Sequence, residues 1–278
     1  MMEAARVVDR QIWRHAGLSS GARSIPEETA VALTYNGGTY AVMMTTPQDL
    51  EDFAIGFSLS EGVISSPADI DSLDVVGLDD GIELRMWLSK PKADRLQERR
   101  RHIAGPTGCG LCGIDSVAVA VRPAAVVGPG RQFWSEQIMT AMRNISSRQK
   151  LNIETRAVHA AAFWDVSGGI VALREDVGRH NALDKLSGAL ARASVAAGEG
   201  MILLTSRVSV EMVQKTAAIG ATAMVSVSAP TALAVRMADA AGITLAAIAR
   251  ADGFEVFTHP YRIRFGAVAQ DAGRQRLC

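Results

Sequence analysis

The sequence predicts an α/β protein, a mixed and largely parallel sheet flanked by helices, preceded by a smaller N-terminal α+β subdomain. Three observations lead there. From about residue 132, helix-period stretches alternate with short apolar runs, the mark of βαβ units in series. Before residue 103 the chain is instead rich in hairpin signals. Nearly half of the 278 residues are apolar, enough to enclose a large core.

The N-terminal elements follow in order. "TAVALTYNGGTYAVMMTT" alternates around Asn36-Gly37-Gly38 and reads as a hairpin. "TPQDLEDFAIGFSLSEGVI" carries a helix-start signal, with Thr46 as N-cap, Pro47 at the first helical position and acids at Asp49, Glu51 and Asp52. Its Leu50, Phe53, Ile55, Phe57 and Leu59 predict a mostly buried helix. "SLDVVGLDDGIELRMWL" reads as two strands around Asp80-Gly81, and "KADRLQERRRHI" as a short basic helix.

Residues 104–131 hold the cysteine-bearing loop and a connection, "RPAAVVGPGRQ". In residues 132–278, "SEQIMTAMRNISSRQKLN" is helical, "GGIVALRED" a strand, and "NALDKLSGALARASVA" an amphipathic helix with apolar residues three and four apart. "GMILLTS", "TAMVSVS", "ITLAAIAR" and "GFEVFTH" are strands. "SVEMVQKTAAIG" is a helix stopped by Gly220, and "APTALAVRMADAAG" one that starts near Pro230 and ends before Gly242.

Composition narrows the function classes. Basic and acidic residues balance at 29 each, so bulk charge points to neither a nucleic acid nor a membrane surface. The richest apolar stretch, 217–235, is interrupted by Gly220, Ser226, Ser228 and Pro230 and does not read as a membrane span. "MMEAARVVDRQIWR" lacks the apolar segment of a secretory leader. Three cysteines make no disulfide framework, and the expectation is a soluble cytoplasmic chain with reduced thiols.

Two of those cysteines lie in "GPTGCGLCG", residues 105–113. A structural zinc site needs four ligands, and Cys109 and Cys112 supply two. The third cysteine is the terminal Cys278, and His15, His102, His159, His180 and His259 show no complementary spacing. No structural metal is therefore expected. A thioredoxin-like pair would begin a helix, which Gly105, Pro106, Gly108, Gly110 and Gly113 oppose. Incidental thiols prefer burial, which this glycine density also opposes. The residues favour an exposed, reactive thiol on a flexible tether.

Four further stretches carry chemistry. "REDVGRHNALDK" gathers Arg174, Glu175, Asp176, Arg179, His180, Asn181, Asp184 and Lys185 at a strand-to-helix junction. The carboxyl ends of strands in open α/β sheets are where ligands bind, and a helix start can hold an anion. The plainer alternative is a set of charges that neutralise one another and cap the helix. "LTSRVSVEMVQK" places Thr205, Ser206, Arg207 and Ser209, and "SVSAPTALAVR" places Ser226, Ser228 and Thr231, at two more such junctions. Hydroxyls and free N–H groups there can cradle phosphates, or simply cap helices. No P-loop or dinucleotide fingerprint is present. In "FTHPYR", His259 and Arg262 stand beside aromatics that could stack on a base and pair a phosphate.

Taken together and in this order, "GCGLCG", "HAAAFWD", "REDVGRHNALDK", "SRVSVEMVQK", "SVSAPTALAV" and "FTHPYR" resemble the formate dehydrogenase accessory sulfurtransferase family, FdhD. The resemblance implies a cytidine-deaminase-like core and a sulfurtransferase that takes persulfide sulfur from a cysteine desulfurase. The acceptor it implies is the molybdenum bis(molybdopterin guanine dinucleotide) cofactor required by formate dehydrogenase. It matches Cys109 to the persulfide-forming position, with Cys112 a supporting or resolving thiol. It assigns Phe257, Thr258, His259, Pro260, Tyr261 and Arg262 to the dinucleotide. The cofactor's phosphates fit Arg179, His180, Ser206, Arg207, Ser228 and Thr231 at the helix starts. A homodimer is implied at the same level. Deaminase chemistry is not: "HAAAFWD" has Ala161 where an H-x-E glutamate would follow His159, and the C-x-x-C precedes it. The alternative function is a non-catalytic chaperone that holds the molybdenum cofactor for formate dehydrogenase.

Overall fold

The chain is described here by a computed structural model covering residues 2–101 and 122–266. Its first element is one the sequence pattern does not announce. β1 (Ala5–Arg14) and β2 (Gly17–Pro26) form an antiparallel ribbon. Most of its residues are exposed, so no apolar alternation marks it.

β3 (Thr29–Tyr35), β4 (Gly38–Thr45), β5 (Ile70–Leu78) and β6 (Gly81–Leu88) build a four-stranded sheet in the order β4-β3-β6-β5. The β3–β4 hairpin closes through Asn36 and Gly37, whose φ values of 49° and 78° make the expected two-residue turn with both centres left-handed. In the second hairpin Leu78 opposes Gly81, so the turn residues are Asp79 and Asp80.

α1 (Leu50–Ser60) fills one face of this sheet with Phe53, Ile55 and Phe57, which pack with Val31, Leu33, Leu84 and Met86. It starts later than its sequence signal. Asp49, not Thr46, is the N-cap, and its side chain makes no capping bond. Thr46 is engaged elsewhere: its hydroxyl accepts from Val177 N and its carbonyl from Lys185 Nζ.

After α2 (Lys90–Arg101), residues 122–130 form an ordered strap without helix or strand. Arg122 donates to Ser60 O and accepts from Gln214, and Val127 N donates to Ala241 O. Then come β7 (Phe133–Trp134), α3 (Ser135–Arg148) and α4 (Lys150–Thr155). The last two divide at Gln149 what the sequence suggests is one helix.

The main sheet has six strands: β8 (His159–Asp165), β9 (Gly169–Asp176), β10 (Met201–Leu204), β11 (Ala223–Ser226), β12 (Thr244–Arg250) and β13 (Gly253–Val256). Their order is β13-β12-β11-β10-β8-β9. β10, β11 and β12 are parallel, and antiparallel pairs extend the sheet on both sides. The sheet is mixed, as expected, but its parallel part is narrower than the βαβ rhythm suggests, because β8–β9 and β12–β13 are joined by turns and not by helices.

α5 (Arg179–Arg192), α6 (Val210–Ile219) and α7 (Ala232–Ala240) cover one face through Leu183, Leu186, Met212, Val213 and Ala238. α3 covers the other through Ile138, Ala141 and Ile145. Among the described residues, no helix is long and apolar enough to cross a membrane.

α5 also packs on α1, and this crossing joins the two sheets. Gly56 and Gly188 sit at it. A Cβ at Gly56 would overlap the Asp184 carbonyl, and one at Gly188 the Asp52 carbonyl.

Candidate functional site

The carboxyl ends of β10 and β11 define one rim of the main sheet. β8 runs the opposite way, so its first residue lies on that rim too: Thr205 N donates to Ala160 O, and His159 pairs with Asp176 at the end of β9. The rim therefore collects His159, the start of α5 (Arg179, His180), the β10–α6 junction (Thr205, Ser206, Arg207, Ser209, Glu211), the β11–α7 junction (Val227, Ser228) and the far end of β12.

The three helix starts on this rim are not equivalent. α7 is capped, because Thr231 accepts from Ala234 N at 3.2 Å. Thr231 thus does the ordinary work of a cap. α5 begins at Gly178, which has no side chain to cap with. α6 begins at Ser209, whose hydroxyl turns instead to Glu211 Oε2 at 2.6 Å. Neither N-cap side chain bonds the first-turn N–H groups, so the α5 start is open to an incoming anion, while at the α6 start the Glu211 carboxylate already accepts from its own N–H.

The polar groups beside them suit that role. Among the described residues, Arg179 Nε and His180 Nε2 make no hydrogen bond, although His180 Nε2 stands 3.7 Å from Glu211 Oε2. Arg207 is exposed. Ser206 is buried and its hydroxyl donates to Arg207 O. Ser228 N donates to Ser226 Oγ, and Ser226 in turn donates to Ser206 O, so the two junctions are tied side by side.

Electrostatics at the rim is asymmetric. His180, assisted by the Ser209 hydroxyl, lowers the Glu211 carboxyl to about 2 against opposing burial. Burial and the nearby Arg179 charge hold His159 below the usual histidine range. Both groups disfavour protonation of the folded state, so stability is lost as pH falls. For Glu211 the window runs from the ordinary value of 4.5 down to about 2. Urea unfolding between pH 6 and 3 is expected to show a shallower acid loss in Glu211→Gln than in the parent chain. Equal slopes would remove Glu211 from the account.

The remaining charges of "REDVGRHNALDK" are structural. Asp176 and Lys185 are fully buried and 2.6 Å apart. Thr45 Oγ1, Thr46 N, Gly178 N and Asn181 Nδ2 all donate to the same carboxylate. Burial pulls the Lys185 ammonium below its ordinary range while Asp176 opposes the shift. Asp184 pairs with Lys215 at 2.8 Å and accepts from Ser60 at 2.6 Å. Asp52 on α1 holds Arg174 and Arg192 at 2.6 and 2.7 Å. Glu175 accepts from Leu151 N and Asn152 N. These groups fasten the junction to α1, β4 and α4, which leaves Arg179 and His180 facing the rim.

"FTHPYR" lies at the other end of the strands. Phe257 N donates to Leu245 O, and Thr258 is buried, bridging Ile243 O and Leu245 N. His259, at φ 47°, contacts Asp239 O, and Pro260 opens a short 3₁₀ turn. Arg262 is 3% exposed and donates to Pro129 O, Gly242 O, Thr244 Oγ1 and Gly128 O. Its guanidinium clamps the strap and the α7–β12 turn. Phe257 and Tyr261 remain exposed aromatic surface. β11 alone spans roughly 13 Å, so "FTHPYR" and the rim do not close on one another within a chain.

Cys109 and Cys112 lie outside the described residues, as does Cys278. The described chain resumes at Arg122, beside α1 and α6. Sequence patterns had also passed over Glu211, although an acid two residues after a helix-start serine is a usable signal. The helix-start histidine of the rim is His180, and Ala182 stands two residues on, so the H-x-E pair of zinc deaminases is missing there too.

Comparison with known proteins bears on the whole chain. The profile of the FdhD/NarQ family matches residues 26–264. Sulfur carrier protein FdhD of Agrobacterium fabrum is 49% identical over 93% of this chain and 96% of its own length. The protein of the same name from Brucella abortus is 48% identical over 93% and 97%. That from Cupriavidus necator is 47% identical over 92% and 88%. A crystal structure described as a formate dehydrogenase accessory protein of Desulfotalea psychrophila superposes with a TM-score of 0.73 at 23% identity, covering 94% of this chain and all of that one. That likeness establishes a shared fold.

Proposed function

Because the chain belongs to the FdhD/NarQ family, we propose that it is a sulfur carrier for formate dehydrogenase maturation, with Cys109 as the carrying thiol. The observation that carries this reading is end-to-end similarity to relatives named sulfur carriers, combined with the chain's own Cys109-x-x-Cys112 in a glycine-rich stretch. In the loading step the Cys109 thiolate attacks the terminal sulfur of a cysteine desulfurase persulfide. A new S–S bond forms on Cys109, the old one breaks, and the desulfurase cysteine leaves as thiolate. No external oxidant is needed. The acceptor is the molybdenum of the bis(molybdopterin guanine dinucleotide) cofactor, which is substrate here.

Recognition of that substrate's phosphates falls to the rim. Arg179, His180 and Arg207 supply donors, the two arginines supply positive charge, and the uncapped start of α5 supplies backbone N–H groups. The buried network behind them fixes the direction of the α5 start.

Incubation with a cysteine desulfurase and cysteine, followed by mass analysis of tryptic peptides, tests the reading. The expected result is a gain of about 32 Da, one sulfur atom, on the Cys109 peptide. It disappears in Cys109→Ala. An unmodified peptide, with guanine nucleotide still bound by the protein, would replace the carrier by a cofactor-holding chaperone.

A further inference from the structure

The β1–β2 ribbon is uncovered over most of its length, and a two-stranded ribbon alone is marginal in water. Its exposure is not confined to polar groups: Val7, Trp13 and Leu18 are 68%, 70% and 67% exposed. Trp13 opposes Leu18 next to the turn, so the outer end is apolar. Alternation along β1 sends Arg6, Arg10 and Arg14 to the other face, and Arg23 joins them because it opposes Val8. Opposite Arg10 and Arg14 stand Gly21 and Gly17, which have no side chain to cover the guanidinium groups. Both arginines are exposed, whereas Arg6 pairs with Glu27 and Arg23 donates to Thr155 O.

Between Ala5 and Pro26 the ribbon carries four arginines, one acid (Asp9) and no lysine, in a chain of zero formal charge. Arginine and tryptophan are enriched where proteins bind proteins, and lysine is depleted. The composition therefore fits an acidic protein surface better than a phosphate backbone. Position narrows the partner further. Arg23 and Ser24 fasten the ribbon to Thr155 and Glu154 on α4. α4 begins on the Glu175 carboxylate, beside Asp176, and ends four residues before His159, so both its ends adjoin the rim. Beyond that anchorage the strands run on from Asp9 to Arg14 and back from Gly17 to Ala22, an arm about 20 Å long. A sulfur donor needs to reach only the cysteine, whereas a client must meet the side that reads the cofactor's phosphates.

We propose that the β1–β2 ribbon is a docking arm for an acidic surface of the client enzyme, the formate dehydrogenase. This rests on the sulfur-carrier reading and on the phosphate reading of the rim. Arg10 and Arg14 pair with carboxylates of the client, and Trp13 and Leu18 supply the apolar contact at the tip. The two sets lie on opposite faces of the ribbon, so the client receives the tip in a cleft with acids along one wall.

Biolayer interferometry of the full chain against formate dehydrogenase made without it tests the arm. The parent is expected to bind, and more weakly as salt rises. The double variant Arg10→Glu, Arg14→Glu should weaken binding about tenfold or more, and Trp13→Ala should act in the same direction. These side chains are exposed, so Tm should stay within about 2 °C of the parent. Persulfide loading of Cys109 by a cysteine desulfurase should stay within about twofold in every variant. Unchanged affinity for the enzyme in the double variant, or a parent that does not bind it, would overturn the arm. Loss of desulfurase loading would overturn it in favour of the donor, and a fall in the mass of the free chain on sedimentation in favour of a second copy. A short DNA duplex bound by the parent as tightly as the enzyme would overturn it too. Arm-dependent binding with no loading in the parent would uphold the arm and fell the sulfur-carrier reading.

Discussion

Lys185→Met is expected to lower the unfolding free energy by about 3–5 kcal/mol, the cost of leaving one member of a buried ion pair unpaired. The surroundings of Asp176 make this a demanding position. Neither Asp176 nor Lys185 has exposed surface, and the carboxylate accepts from four further donors, on β4, the chain just after it, the α5 N-cap and α5 itself. Those donors hold the oxygens in place but carry no full charge, so methionine leaves an anion in an apolar interior. The Thr46 carbonyl also loses its Lys185 donor. The double variant Asp176→Asn, Lys185→Met removes the orphaned charge and should recover part of the loss. Urea denaturation of the three proteins checks both statements. A loss under about 1 kcal/mol in Lys185→Met would mean that the pair behaves as a surface salt bridge.

Gly56→Ala and Gly188→Ala are each expected to cost about 3 kcal/mol, at the upper end of overpacking penalties. The reason is geometric. In both cases the added carbon meets main-chain atoms, Asp184 O and C for Gly56 and Asp52 O and C for Gly188. A side chain could swing away, but a helix backbone cannot, so α1 and α5 must separate. That separation would disturb the Asp52–Arg174 and Ser60–Asp184 contacts across the same crossing. Because both substitutions widen one interface, the double variant should cost less than the sum of the singles. Thermal unfolding would register each single change as a fall in Tm of about 6–12 °C. A change within about 0.5 kcal/mol would show that the crossing is loosely packed.

Much of this architecture was legible in local chemistry. Asn36-Gly37 announced its turn because only a few residues tolerate two left-handed positions in succession. Gly220 and Gly242 marked helix ends for the same reason, with φ values of 81° and 74°. Where tertiary contacts competed with local signals, the signals misled. Thr46 has the composition of an N-cap, yet Asp176 and Lys185 draw its polar groups into the interior, and α1 starts at Leu50. The β1–β2 ribbon was invisible because it has almost no buried face to create a pattern.

The candidate site was legible as composition and not as geometry. "REDVGRHNALDK" stood out as a cluster, but nothing in its spacing separates the internally paired Asp176, Asp184 and Lys185 from the outward Arg179 and His180. That distinction depends on residues more than one hundred positions away, such as Thr45, Thr46 and Ser60. "FTHPYR" and the serine-rich junctions looked like parts of one nucleotide site. The antiparallel return of β13 carries "FTHPYR" to the opposite end of the strands, which strand order alone reveals.

Sulfur transfer itself can be measured directly. The protein is loaded with ³⁵S by a cysteine desulfurase, freed of donor, and mixed with formate dehydrogenase that carries its cofactor but was made without this protein. A sulfur carrier predicts that label moves to the dehydrogenase in step with the appearance of formate oxidation, and that Cys109→Ala supports neither. Full activation by Cys109→Ala, or activation while the label stays behind, would contradict it.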